Sequence, residues 1–187
     1  METKETMETS WSTTLWQQFG ATIDMLDNAL IACPDSLWRQ PVWYDLSVPP
    51  RGVEFWYVAY HALFWLDLYL SGSAEGFAPP APFTLEELDP AGVAPSRPYT
   101  REELRTYLAY VRHKGQMRLG ALTEEQARQP IDFPWAKGKD VSYFELQLYN
   151  LRHVQEHAAQ LALFLGQNAI HAAPSWVAQA KGDPVGP

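Results

Sequence analysis

The run FWYVAYHALFWLDLYL, Phe55 to Leu70, is the strongest constraint on how this chain folds. Its apolar residues occupy nearly every face at helical periodicity, so a helix here has no side suited to water and must be enclosed by other elements. It is shorter than the ~20 residues needed to cross a bilayer, and it carries His61 and Asp67 in its interior. We expect a buried helix of a globular domain that also contacts a second subunit.

The flanking sequence supplies the enclosure. Leu15, Phe19, Ile23, Leu26 and Leu30 fall at helical spacing in a first helix that begins near Ser10 or Trp11 and stops at Cys33-Pro34. The apolar helix is the second, from about Gly52 to Leu70, with Ser71-Gly72 as its stop. TREE, Thr100 to Glu103, is a capping box opening a third helix, which places Leu104, Leu108, Val111 and Leu119 on one face through about Leu122. TEEQ, Thr123 to Gln126, predicts a short further helix, and a second box, SYFE at Ser142 to Glu145, opens a fourth long helix ending at Gly166. No alternating strand pattern competes, so the expected fold is all-α, a four-helix bundle with short linker helices.

Gly72 to Tyr99 is rich in Pro and Gly, with one helical turn expected at TLEELD. A loop of this length between the second and third helices is expected to be functional or interface-forming rather than a plain connector. The expected organisation is a flexible N-terminus over residues 1–9, one domain over 10–166 and an irregular extension over 167–187.

The chain's 187 residues, 47% of them hydrophobic, can bury a core without disulfides or a structural metal. Its 14 Lys and Arg against 22 Asp and Glu give a net charge of -8, which disfavours nucleic acid and anionic membranes as partners. Cys33 is the only cysteine, so no intrachain disulfide or Cys-rich zinc knuckle can form, and any metal must be held by His, Asp or Glu. METKETMETS lacks the basic start and apolar run of a signal peptide, and a cytoplasmic location is expected.

Metal ligands have an obvious source in NLRHVQEHAAQL, Asn150 to Leu161. Taking His153 as the origin at 100° per residue, His157, Glu156, Asn150 and Gln160 lie at about 40°, −60°, 60° and −20°, all on one side of the helix. Histidines four apart have Cβ atoms roughly 6 Å apart, close enough to share one ion. His-Val-Gln-Glu-His also matches the short motif of inverted zinc proteases, but no Glu follows Glu156 to complete that ligand set. His61, midway along the second helix, is the natural third ligand where the two helices are neighbours. No Glu stands three residues before any of these histidines, so the paired Glu-x-x-His motifs of di-iron bundles are missing and one metal ion is expected rather than two. The other reading of these residues is three core histidines satisfied by hydrogen bonds alone.

With His61, then His153 and His157, then Gln160-Leu161, the chain resembles the DinB/YfiT-like metalloproteins. The linkers PDSLWRQP and LTEEQARQP also resemble that family's, and the likeness runs from about Trp11 to Gly166. The resemblance implies a bundle holding a divalent metal, often nickel or zinc, with roles such as thiol S-transferase, sometimes using a low-molecular-weight thiol, or hydrolase on a small-molecule substrate. The long Pro-rich loop and the tail with His171 and Trp176 depart from the family pattern.

Within this frame Glu156 is the candidate general base, and Asn150 and Gln160 are candidates for orienting the imidazoles from behind. A non-catalytic metal- or ligand-binding module, working as a homodimer, is the competing class. Cys33, at a helix end before Pro34, is expected to be a small buried hydrophobe.

Overall fold

Three amphipathic helices enclose the apolar second one almost wholly. The computed structural model of the chain describes residues 10–44, 53–170 and 176–182. Five α-helices follow in order: α1 (Trp11–Ala32), α2 (Phe55–Ser71), α3 (Arg101–Gly120), the single turn α4 (Glu124–Ala127) and α5 (Tyr143–Gln167). Among the described residues the chain is all-helical, with isolated bridges but no strand. No helix among them is long and apolar enough to cross a membrane.

The adjacent pairs of long helices are α1 with α5, α5 with α2, α2 with α3 and α3 with α1, so the four close a ring with α1 and α2 on opposite corners. Phe19, Ile23, Leu26 and Leu30 of α1 and Leu104, Val111 and Leu119 of α3 are fully buried, on the faces their spacing indicated. On α2 every residue from Phe55 to Leu70 is buried except Tyr57, His61 and Trp65, which are four apart and form one half-buried stripe.

The ends follow local chemistry. Both halves of the capping box form at Thr100/Glu103 and again at Thr123/Gln126, while Ser142 accepts from the backbone N–H of Glu145 at the start of α5. α2 starts at Phe55, with Glu54 as N-cap; the expected start at Gly52 lies outside the described residues. It stops at Gly72, whose φ of 81° suits glycine and whose Cα faces the Tyr143 ring so closely that an added Cβ would stand 3.2 Å from it.

Residues 72–99 fold back over α2 and α3. Phe83 stacks on Tyr60 and Tyr107 at centroid separations of 5.9 and 4.4 Å, Phe77 packs edge-on to Phe64, and a 3-10 turn forms at Glu86–Leu88. The described part of the C-terminal extension runs along α1: the N–H of Ala180 donates to the Gln17 carbonyl at 2.9 Å and that of Lys181 to Asp24 at 2.5 Å. Gly20 permits this approach, since a Cβ there would meet the Ala180 methyl at 2.6 Å. His171 lies outside the described residues, as do residues 1–9.

Candidate metal centre

Two buried amides set the register of α5 against α2. Gln147 donates to the Tyr69 carbonyl at 2.8 Å, and Asn150 donates to the Leu66 carbonyl and the Gln147 side chain, both at 3.3 Å. As α5 ascends through 147 and 150, its α2 partners descend through 69 and 66, so the helices are antiparallel and His153 arrives opposite His61. Asn150 thus aligns the two helices, and its hydrogen bonds among the described residues go to Leu66 and Gln147 rather than to a histidine.

The three imidazoles converge through equivalent atoms. His153 Nε2 lies 3.2 Å from His61 Nε2 and 3.1 Å from His157 Nε2. Ligand atoms bound at ~2.1 Å to one ion stand about 3.0 Å apart at a right angle and about 3.4 Å apart at the tetrahedral angle, a window that contains both separations. The three residues are positioned to hold a metal ion.

The hydrogen bonds behind the rings decide which nitrogen carries the proton. The Glu87 carboxylate can only accept when ionised, so at 2.7 Å His61 Nδ1–H donates to it and leaves Nε2 with a lone pair. Burial alone would raise the Glu87 carboxyl, but the His61 hydrogen bond and charge, with bonds from Tyr57 and Trp65, hold it below its usual value. His157 Nδ1 faces Gln160 Oε1 at 2.8 Å, and the Gln160 amide nitrogen points to Glu156 at 3.4 Å. Because Glu156 accepts only, Gln160 turns its oxygen toward the ring, and His157 Nε2 also presents a lone pair.

Two lone pairs thus face one point, and His153 can donate a single N–H to only one of them. His153 Nδ1 is buried and has no partner among the described residues. A cation satisfies all three Nε2 atoms together, which hydrogen bonding among three neutral rings cannot do. Burial, with the repulsion that a protonated His157 or His61 would add, pushes His153 down to about 3, and burial with the same repulsion from His61 lowers His157 as well. Both rings are neutral at physiological pH, the form in which an imidazole can bind a metal.

Glu156 is exposed and its carboxylate is turned to Gln160. Cys33 is buried at the end of α1, where desolvation raises its thiol to about 12. His113 is exposed on α3. A cavity of about 520 Å³ lies past the end of α2, lined by Ser71, Arg118, Gln129 and Tyr143; the histidines lie along the α2–α5 seam instead. Glu87 escaped the sequence reading. Its only signal was the length of the loop that carries it and the helical turn expected at TLEELD.

Comparison with protein-family models, curated proteins and solved structures finds no match to this chain.

Proposed function

We propose that the protein is a DinB/YfiT-like metalloprotein, a four-helix bundle that binds one divalent ion, nickel or zinc, through His61, His153 and His157. In this reading it acts in the cytoplasm, as a homodimer, on a small-molecule substrate, as a hydrolase or as an S-transferase using a low-molecular-weight thiol. The observation that carries the reading is the convergence of three Nε2 atoms from two helices, with His61 and His157 locked from behind in the tautomer that frees Nε2. The ring of four long helices, the position of His61 midway along α2 and the Gln160-Leu161 pair after His157 support the family assignment.

Three protein ligands leave coordination positions open, and a divalent ion so held lowers the pKa of a bound water or thiol toward neutrality. The chain's own part is to keep the rings neutral and aimed. Tyr57 and Trp65, half-buried on either side of His61, flank the approach along α2. Glu156 enters as a support of Gln160 rather than as the base.

Elemental analysis of untagged protein purified without added metal tests the reading, with His61→Ala and His153→Ala alongside. One equivalent of nickel or zinc per chain, lost in both variants, is expected. No metal in the wild type even after reconstitution overturns it. Metal retained without turnover of thiol-transfer or ester-hydrolysis substrates leaves a metal-binding module in place of an enzyme.

A further inference from the structure

The half-buried stripe of α2 is directed at a single carboxylate. Glu87 Oε2 accepts from His61 Nδ1 at 2.7 Å and from the Trp65 indole N–H at 2.9 Å, and Tyr57 stands one helical turn before His61 on the same half-buried face. These three residues are successive i, i+4 positions, so one turn of loop reaches one face of one helix. The Glu87 side chain is 4% exposed, and its Oε1 has no hydrogen-bond partner that satisfies it among the described residues. A buried carboxylate with one oxygen unsatisfied opposes folding and calls for a compensating role.

Glu87 is not free to leave. It sits in the 3-10 turn Glu86–Leu88, and the loop just before it is fastened by Phe83, stacked between Tyr60 of α2 and Tyr107 of α3. Beyond it, Tyr99 packs on Tyr60 at 4.9 Å and its carbonyl accepts from the Trp38 indole N–H at 2.9 Å. The excursion is therefore clamped to the helix core on both sides of the carboxylate, and the clamp sets where Oε2 stands relative to His61.

We infer that Glu87 is a positioning residue for the metal centre: it fixes the Nδ1–H tautomer and ring orientation of His61, and with them the affinity of the site for its ion. Residues 72–99 are on this inference part of the centre rather than an insertion beside it. A carboxylate behind a ligating imidazole also makes the ring a stronger donor, and losing such a partner typically weakens metal binding 10–100-fold. The inference rests on the three-histidine reading above.

The test is a zinc competition titration against a chromophoric chelator, using wild type, Glu87→Gln, Glu87→Ala and, as a charge control, the exposed loop residue Glu75→Gln. Affinity is expected to fall about 10–100-fold in Glu87→Ala and less in Glu87→Gln, whose amide oxygen still accepts from Nδ1–H, with no change in Glu75→Gln. Nitrogen-15 spectra of the imidazoles in metal-free protein provide a readout that general destabilisation does not move. His61 is expected as the Nδ1–H tautomer in the wild type, and this preference is expected to be lost in Glu87→Ala. Unaltered zinc affinity in both folded Glu87 variants, or an Nε2–H tautomer of His61 in the wild type, overturns this inference alone. Failure of the wild type to take up zinc overturns the metal reading and this inference together.

Discussion

The Nε2 atoms of His153 and His157, four residues apart on α5, stand 3.1 Å apart, although each ring leaves the helix from a different turn. Through Nε2, a neutral His153 can donate one hydrogen bond, to His157 or to His61, and leaves the other ring's lone pair unmet. An ion between them and His61 removes the conflict. On the proposed metal reading, folded protein should therefore be stabilised by zinc or nickel. At a hundredfold excess over Kd the gain is about 2.7 kcal/mol, or roughly 5–10 °C in Tm for a chain of this size. Thermal unfolding with and without zinc or nickel measures it, and His153→Ala and His157→Ala should show no metal-dependent shift. Equal shifts in wild type and variants would place the ion elsewhere.

Gln160 and Glu156 form a chain behind His157, and only the inner member hydrogen-bonds to the imidazole. Gln160→Leu keeps the bulk but removes the acceptor that fixes the His157 tautomer, so metal affinity is expected to drop about tenfold. Glu156→Gln, exposed and one bond further out, is expected to leave affinity within about twofold of wild type, in line with the small effects of exposed sites. The same chelator competition separates them, and a larger loss in Glu156→Gln than in Gln160→Leu would contradict this order.

How much of this could be read beforehand depends on the range over which each signal acts. The helices were legible because burial repeats with the helical period and because Thr100, Thr123 and Ser142 announce their caps a few residues from where they act. The three histidines were legible because two share one helix face and the third is the lone His midway along the largely apolar α2. Glu87 was not, since a loop carboxylate reaching a helix 26 residues away carries no period and no spacing rule. Asn150 shows the converse limit: its place on the histidine face was readable, but whether its amide meets a ring or the Leu66 carbonyl depends on the register of α5 against α2.

Asp67, which the sequence showed only as a charge inside an apolar run, has no exposed surface and accepts from the Tyr107 hydroxyl at 3.0 Å and from Lys114. Lys114 also donates to the Ser71 hydroxyl at 2.7 Å, so the pair ties α2 to α3 near the end of α2. Removing the anion leaves a largely buried ammonium uncompensated, and Asp67→Ala is expected to cost about 3–5 kcal/mol in chemical denaturation. Tyr107→Phe removes one neutral partner and is expected to cost about 1–2 kcal/mol. Comparable losses in the two variants would argue against a charge-dominated contact.

Glu103 offers a test of the acid limb of stability. Its carboxylate takes two bonds from Arg97, at 2.6 and 2.9 Å, and one from the Thr100 backbone N–H at 2.8 Å. The Arg97 hydrogen bonds lead in lowering its carboxyl from 4.5 to about 2, with the Thr100 bonds and the Arg97 charge adding to them against a smaller opposing effect of burial. The folded value lies below the unfolded one, so the folded state holds fewer protons between them. Its stabilisation is complete above the unfolded pKa and is lost as pH falls toward about 2. Because the carboxylate is partly exposed and its partner Arg97 is exposed, the effect is modest and weakens with added salt. Thermal unfolding of wild type and Glu103→Gln across this range is expected to show a Tm gap that is constant from pH 5 to 7 and narrows steadily below the ordinary carboxylate pKa. A gap that persists undiminished at pH 2 would mean that Glu103 acts through its shape at the helix cap, since by then protonation, nearly complete in the unfolded chain and about half complete in the folded one, has removed most of the charge's contribution.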